Sequence, residues 1–378
     1  MNHQTRHIPM EIFGLIAAES SDEALKNIRL TCRAGREIAT PLLYRCFTVQ
    51  TINNHTLKRL QEVARHPQLA TLVKRFEYQP WIRRNSHNDD ERQRLAEQND
   101  LLASSSFVEA LITALKSFIQ LRHVELRYPA YGMRWVCDNR SLCILSDVIR
   151  HIYSNICPRL VSLSIEGLLL ADIPQDLLQD AGDGTGTSHT TVERLDLDFH
   201  PGDMPSGEMT RIEPDGLHRL LSLVANLTSL RIGFHYLDRS MRSFDWSALQ
   251  CTKLNTLELV DLEMSETSLM NIITQNAHSI RQIIIDRVFL FDGTWAVIYD
   301  GIANIEGIND ISGIQGRRYL DGRGSYTKPD AASYCRLFAM VEQRRESQGL
   351  PSMRWPISPR GFVYHRDFSN METSLFEH

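Results

Sequence analysis

Six short segments of the chain share one spacing of apolar positions, apolar-x-x-apolar-x-apolar. They are Leu121-Arg122-His123-Val124-Glu125-Leu126, Leu160 with Leu163 and Ile165, Val192 with Leu195 and Leu197, Leu227 with Leu230 and Ile232, Leu254 with Leu257 and Leu259, and Ile280 with Ile283 and Ile285. The closing apolar-x-apolar step is the two-residue period of a β-strand, so each segment predicts a short strand with one apolar face. Successive starts lie 39, 32, 35, 27 and 26 residues apart. Between them the period changes to that of a helix. Leu145, Val148, Ile149, Ile152, Tyr153 and Ile156 form one face, Leu217, Leu220, Leu221 and Val224 a second, and Leu269, Ile272 and Ile273 a third. Strand followed by helix, in order, predicts an α/β body of parallel strands in which each unit covers its apolar side only against its neighbours. An ordinary sheet with crossover helices would show the same alternation, but six similar strand cores in succession favour a curved solenoid.

The flanks extend this body. Leu57, Leu60 and Val63 predict a helix ahead of His66-Pro67, and Leu69, Leu72, Val73 and Phe76 mark a first, atypical repeat. Phe107, Leu111, Ile112, Leu115 and Phe118 predict another helix. Residues 81–100 are polar and aperiodic and predict an exposed loop. The stretch Gly182-Asp183-Gly184-Thr185-Gly186 lacks both a P-loop lysine and a complete G-x-G-x-x-G, so it is expected to be a flexible insertion rather than a phosphate cradle. Pro329-Asp330 opens a helix with the face Tyr334, Leu337, Phe338 and Val341, ending near Gly349 and placed to close the last repeat. Beyond it Trp355, Phe362, Tyr364, Phe368 and Phe376 follow no period and are expected to pack along the body.

The first fifty residues are built differently. Pro9 suits a first helical turn, and Ile12, Leu15 and Ile16 form a stripe behind it. Ser21-Asp22 should cap a second helix carrying Leu25, Ile28 and Cys32, and a third should run through Glu37, Ile38 and Ala39 until Pro41 stops it. Three helices this short bury little surface by themselves and call for a partner. The chain therefore divides into a helical head at 5–49, a solenoid at 50–325 and a C-terminal helix with an irregular tail at 326–378.

Three motifs in the head occur in a telling order: Ile8-Pro9-Met10-Glu11-Ile12, Arg29-Leu30-Thr31-Cys32-Arg33 and Ala39-Thr40-Pro41-Leu42-Leu43-Tyr44. Together they resemble an F-box. Ile8-Pro9 stands where that family usually has Leu-Pro, and Ala34-Gly35-Arg36 where it commonly has an aromatic. The body motif is the strand half of a leucine-rich repeat. With Cys157-Pro158-Arg159-Leu160 and Gly293-Thr294-Trp295, residues 8–305 resemble the fungal F-box and leucine-rich-repeat proteins. The resemblance implies a non-catalytic substrate receptor of an SCF-type ubiquitin ligase, with a Skp-type adaptor, a cullin and a target protein as partners. It implies that Ile8, Pro9, Ile12 and Ile16 face the adaptor, while Leu30, Cys32, Leu42, Leu43 and Tyr44 mainly hold the helices together. The alternative is an interaction scaffold whose head only caps the solenoid and which has no cullin.

Strand alternation turns the residues between the apolar positions outward. The expected target-binding set is Glu125, Arg127, Ser164, Glu166, Arg194, Asp196, Asp198, Arg231, Glu258 and Asp286, in which acids predominate, so a partner segment with basic residues is expected. Asp196, Asp198 and His200 share a strand face as a hard-metal site would, yet an exposed polar strand gives the same pattern and further ligands are missing. There is no H-E-x-x-H, G-x-S-x-G or Walker A motif, so no enzyme activity, metal or cofactor is expected.

Composition narrows the class further. In 378 residues, 41 basic side chains face 46 acidic ones for a net charge of −5, which supports neither a nucleic-acid nor a membrane partner. No apolar run approaches the length of a membrane span, and no signal-peptide core is visible near the start. The seven cysteines form no C-x-x-C pair, as expected of free thiols in the cytoplasm, the nucleus or both.

Overall fold

The computed structural model describes residues 9–79, 104–127, 159–168, 191–199, 226–238, 251–312, 317–320, 323–325 and 328–353, with isolated positions between them. Ile8, the expected helix at 145–156, nearly all of the two expected loops, Cys157-Pro158, His200 and the aromatic tail lie outside the described residues.

Three helices form the head: α1 (Met10–Ala18), α2 (Asp22–Thr31) and α3 (Arg33–Leu43). Ser21 caps α2 as expected, its Oγ accepting from the Ala24 N–H at 3.3 Å. Two expectations are corrected. Cys32 is not on the apolar face of α2; its extended backbone separates α2 from α3, and its Sγ accepts from the Gly35 N–H at 3.2 Å. Nor does Pro41 stop α3. It falls in the last turn, where only one helical hydrogen bond is forfeited, and the Tyr44 N–H closes the turn on the Thr40 carbonyl at 3.1 Å. Ala17, Leu25 and Ala39 make a small buried centre against which Ile28, Ile38, Leu42 and Leu43 pack. Gly35 lets α2 and α3 cross closely, for a Cβ there would stand 2.3 Å from the Ile28 carbonyl oxygen. Gly35→Ala is therefore expected to destabilise the head by about 1–3 kcal/mol through overpacking. Thermal unfolding followed by circular dichroism measures it, and an unchanged midpoint would contradict this close crossing.

The body is a parallel sheet in chain order: β1 (Cys46–Val49), β2 (Arg75–Tyr78), β3 (His123–Arg127), β4 (Ser162–Leu168), β5 (Arg194–Phe199), β6 (Ser229–Asp238), β7 (Thr256–Met264), β8 (Gln282–Asp286) and β10 (Asp310–Ser312). Helices α4 (Asn54–Arg65), α5 (Pro67–Ala70), α6 (Ser105–Ser117), α7 (Glu266–Gln275) and α8 (Trp295–Ala303) come between strands, and α9 (Lys328–Ser347) follows the last of them. The register is that of a repeat. Phe47, Phe76, Val124, Leu163, Leu195, Leu230, Leu257, Ile283 and Ile311 form one row across all nine strands. A fork of hydrogen bonds repeats beside it: the Arg45 carbonyl accepts from Lys74 and Arg75, the Lys74 carbonyl from Arg122 and His123, and so on until the Arg281 carbonyl accepts from Asn309 and Asp310.

All six strands expected from the apolar spacing are present, and three more join them. Tyr44-x-x-Phe47-x-Val49 and Val73-x-x-Phe76-x-Tyr78 stand before the six, and Ile308-x-x-Ile311 after them. The sheet thus begins at Cys46, within the segment first assigned to the head.

Among the described residues, only one face of this sheet is covered. The inward rows are buried in one core with Leu60, Val63, Phe107, Leu111, Leu115, Leu269, Ile272, Ile273, Trp295 and Ile298 from the helices, whereas the outward side chains keep partial exposure. A doubly wound sheet would bury both faces and reverse its strand order. Sequential order with helices on one side is what stacked strand–helix units produce.

The chain turns at a fixed point of the unit. The eighth residue from the leading apolar position adopts positive φ at Gly167 (81°), Asp261 (54°) and Arg287 (52°). Asp261 and Arg287, equivalent in adjoining units, pair at 2.5 Å across this corner. Beyond it the end of β7, β9 (Phe289–Leu290) and β11 (Arg317–Leu320) form a second short parallel ladder, and β12 (Arg323–Ser325) returns antiparallel on β11. Helix α9 packs on α8, with Leu337, Phe338 and Val341 buried, and ends before Gly349 at φ 67°. Arg344 donates to the Ala303 and Ile305 carbonyls at the end of α8, and Arg345 to the Asn309 and Pro351 carbonyls.

Candidate interaction surfaces

The first surface belongs to the head. Its small centre leaves Met10, Ile12, Leu15 and Ile16 of α1 exposed, Leu15 at 65%, and Pro9 is exposed beside them. Large apolar side chains grouped on one short helix are a mark of an interaction site. The spacing of Ile12, Leu15 and Ile16 carried this stripe in the sequence, although Leu15, the most exposed of the three, was not in the expected contact set. Leu30 was expected inside and is 80% exposed, because it lies off the stripe of α2 that Leu25 and Ile28 bury. Cys32 is exposed as well, and the Gly35 N–H and the Thr31 hydroxyl hold its thiol below the ordinary range. Leu42 and Leu43 do pack between the helices. Tyr44 instead packs on the core of the body, with the Arg29 guanidinium 5.9 Å from its ring.

The second surface is the open face of the sheet. All ten side chains expected to meet a target are on it, and the structure joins seven of them into two ionic groups. In the first, Glu125 accepts from Arg75 at 2.6 Å and from Arg127, which also reaches Glu166 at 3.3 Å, while Arg75 pairs with Glu77 at 2.6 Å. In the second, Arg231 reaches Asp196 at 2.8 Å, Glu258 at 3.1 Å and Asp198 at 3.3 Å. Ser164, Arg194 and Asp286 complete the set without joining either group; Asp286 approaches Arg287 at 3.7 Å. Sequence reasoning turned Gln282 outward but missed Thr48, Arg75, Glu77 and Asp310 as members of the face. Thr48 donates to Glu77 and Gln282 to Asp310. Admitting aromatic residues to the apolar positions would have found the first three.

The electrostatics follow from these contacts. Burial pushes the Glu125 carboxyl up, but hydrogen bonds and charge from Arg75 and Arg127 outweigh it and leave the group below the usual carboxylate range. Burial likewise opposes the Arg231 charge, and Asp196, Asp198 and Glu258 more than restore it. Burial and the nearby Arg75, Arg194, Arg122 and Arg45 lower the His123 imidazole. Because the folded pKa of Glu125 is depressed, its stabilisation is present above the unfolded value near 4.5 and is lost as pH falls through the folded value. Glu125→Gln is expected to cost about 1–2 kcal/mol at pH 7. The gap should narrow as pH drops below about 4.5. Urea midpoints at pH 7 and pH 3.5 test this, and a pH-independent gap would contradict it.

Asp196 and Asp198 are engaged by Arg231, and among the described residues no group of three or more His, Cys, Asp or Glu is placed to hold a metal ion. No helix among the described residues is long and apolar enough to cross a membrane.

No family model matches the chain, and no curated protein matches it. Among solved structures, one described as "Crystal structure of TLR13-ssRNA13 complex" aligns at 11% identity with a TM-score of 0.23, covering 68% of this chain and 38% of that one. At that score the alignment carries no assignment. The described residues form an α/β protein of stacked strand–helix units in which they leave one sheet face open.

Proposed function

We propose that this chain is a non-catalytic substrate receptor of an SCF-type ubiquitin ligase, its F-box-like head docking a Skp-type adaptor and its leucine-rich-repeat-like face holding a target protein. The exposed apolar stripe Ile12, Leu15 and Ile16 on a head with so small a centre carries this reading, since such a surface is completed by a partner. The open face is acidic in balance, with Glu77, Glu125, Glu166, Asp196, Asp198, Glu258, Asp286 and Asp310 against Arg75, Arg127, Arg194 and Arg231, which suits a target segment rich in basic residues. The receptor would act by effective concentration: a target held beside the charged enzyme receives ubiquitin in what is effectively an intramolecular step. This role needs no cofactor, nucleic acid or membrane, and it places the protein in the cytoplasm, the nucleus or both.

Co-capture of the full chain with a recombinant Skp-type adaptor tests the reading. Leu15→Asp and Ile12→Asp should each weaken capture at least about tenfold, the scale of a desolvated apolar contact. Circular dichroism should stay unchanged, because both side chains are exposed. One observation favours a second reading, an interaction scaffold without a cullin: β1 starts directly after α3, and Tyr44 between them packs on the core of the body, so the head also works as an end cap. Failure of the unaltered chain to capture the adaptor would leave the scaffold standing and sink the ligase role.

A further inference from the structure

Charge is unevenly spread over the open face. Where the first strands begin, the chain places a row of basic side chains. Arg45, Lys74 and Arg122 directly precede β1, β2 and β3, and Arg75, His123 and Arg194 are the first residues of β2, β3 and β5. All six are exposed. The register aligns Arg75, His123 and Arg194 across the sheet, with Ser162 of β4 between the last two, and the fork of backbone bonds aligns Arg45, Lys74 and Arg122 in the same way. Burial lowers the His123 imidazole, and positive charge from Arg75, Arg194, Arg122 and Arg45 lowers it further, so charge from four strands converges there. Arg75 is held by Glu77 and Glu125. Among the described residues, Arg45, Lys74, Arg122 and Arg194 pair with no acid, and the exposed Glu193 before β5 is the one carboxylate at these positions of β1 to β5. The same positions on β7, β8 and β10 hold Asn255, Thr256, Arg281, Gln282, Asn309 and Asp310, and the Arg281 guanidinium there is turned onto the Ile280 and His278 carbonyls.

Like charges side by side on neighbouring strands repel and lower stability. The bonds that join these strands are made by the backbone, so the fold gives these side chains no reason to be basic. An anionic partner does. From β1 to β5 the row crosses four strand spacings of about 4.8 Å, roughly 19 Å, which about six residues of extended chain cover. A lone anion would meet only the cations closest to it, whereas successive carboxylates along a chain meet the whole row. We propose that the edge where β1, β2, β3 and β5 begin is a docking site for an acidic segment of a protein partner, rich in Asp and Glu, held by Arg45, Lys74, Arg122 and Arg194. This goes beyond the basic segment proposed for the carboxylates further along the strands: a target that fills both is acidic at this edge and basic beyond it. The docking does not depend on the ligase reading.

Fluorescence anisotropy with the full chain and a labelled peptide of about eight glutamates, long enough to cover the row, tests it at low ionic strength. The peptide should bind, and a peptide of lysines should not displace it from this edge. Lys74→Glu combined with Arg122→Glu should weaken binding at least about fivefold, because each reversal turns a favourable contact into an unfavourable one. Circular dichroism should stay unchanged, since both side chains are exposed. Lys58→Glu combined with Lys116→Glu, exposed lysines of α4 and α6, makes the same change in net charge and should leave binding as it was. No binding, indifference to the Lys74 and Arg122 reversals, or an equal loss from the Lys58 and Lys116 reversals would each overturn the docking. So would displacement of the peptide by an equal concentration of inorganic phosphate, which would mark a single-anion site, or a single-stranded oligonucleotide binding more tightly with the same dependence on Lys74 and Arg122. Adaptor capture by the same preparations reports on the ligase reading separately, so the two can fail independently.

Discussion

Phe47→Ala is expected to remove about 3–5 kcal/mol from the unfolding free energy, the range for truncating a fully buried aromatic side chain. The ring is 1% exposed, lies 6.4 Å from Phe76 in a stacked arrangement and 5.9 Å from Phe118, and has the Arg59 guanidinium 4.5 Å from its centroid. Truncation would open a void that three neighbours now line. The position also bears on connectivity, because β1 pairs with β2 on one side only and stands between the head and the other units. In stacked repeats stability is a sum of unit and interface contributions, so a fault at an end unit should fray that end first. Phe47→Leu should cost much less, about 1–1.5 kcal/mol, since most of the volume is kept. Urea unfolding followed by circular dichroism measures both. A loss below about 1 kcal/mol for the alanine variant would mean that the first unit is not packed as described.

That first unit also shows where sequence reading stopped. The two-residue alternation located six strands and told inward from outward residues correctly in each, because burial on one face imposes that period. It placed Val73 and Phe76 in a first, atypical repeat without delimiting β2 and overlooked β1, because Phe47, Phe76 and Tyr78 fill with rings the volume that leucines fill elsewhere, and it overlooked β10 because a glycine, Gly313, follows where the last apolar residue would stand. The outward set was legible, but its pairing was not. Arg231 meets Asp196 and Asp198 on one neighbouring strand and Glu258 on the other only because the strands align in register, and nothing within a segment encodes the register of strands about thirty residues apart. In the head, helical period and family resemblance disagreed about Leu30. Five residues after Leu25, it lies roughly 140° around the helix from the buried stripe. The period was the better guide. The positive φ at Asp261 and Arg287 had no sequence signal, since only Gly167 at the equivalent corner carries the residue type that announces it.

Arg231→Met is expected to cost about 2–3 kcal/mol, less than the 3–5 kcal/mol for breaking a fully buried ion pair because solvent screens a partly exposed group. The side chain is 30% exposed. Methionine keeps much of the stem and removes the fork that joins three strands, leaving Asp196 and Asp198 on β5 to face Glu258 on β7 across β6. The loss therefore comes mainly from uncompensated like charge, and this yields a sharper test than the single variant. Adding Asp196→Asn, Asp198→Asn and Glu258→Gln to Arg231→Met should recover most of the lost stability, whereas the same three changes beside an intact Arg231 should destabilise by leaving its charge unpaired. Arg231→Lys should fall between, since an ammonium cannot span three carboxylates as a planar guanidinium does. Additive effects across this set, measured by urea unfolding, would show that the groups do not couple. Coupling would show that Arg231 is committed to the sheet, which leaves the excess carboxylates around it as the part of the face that a basic partner meets.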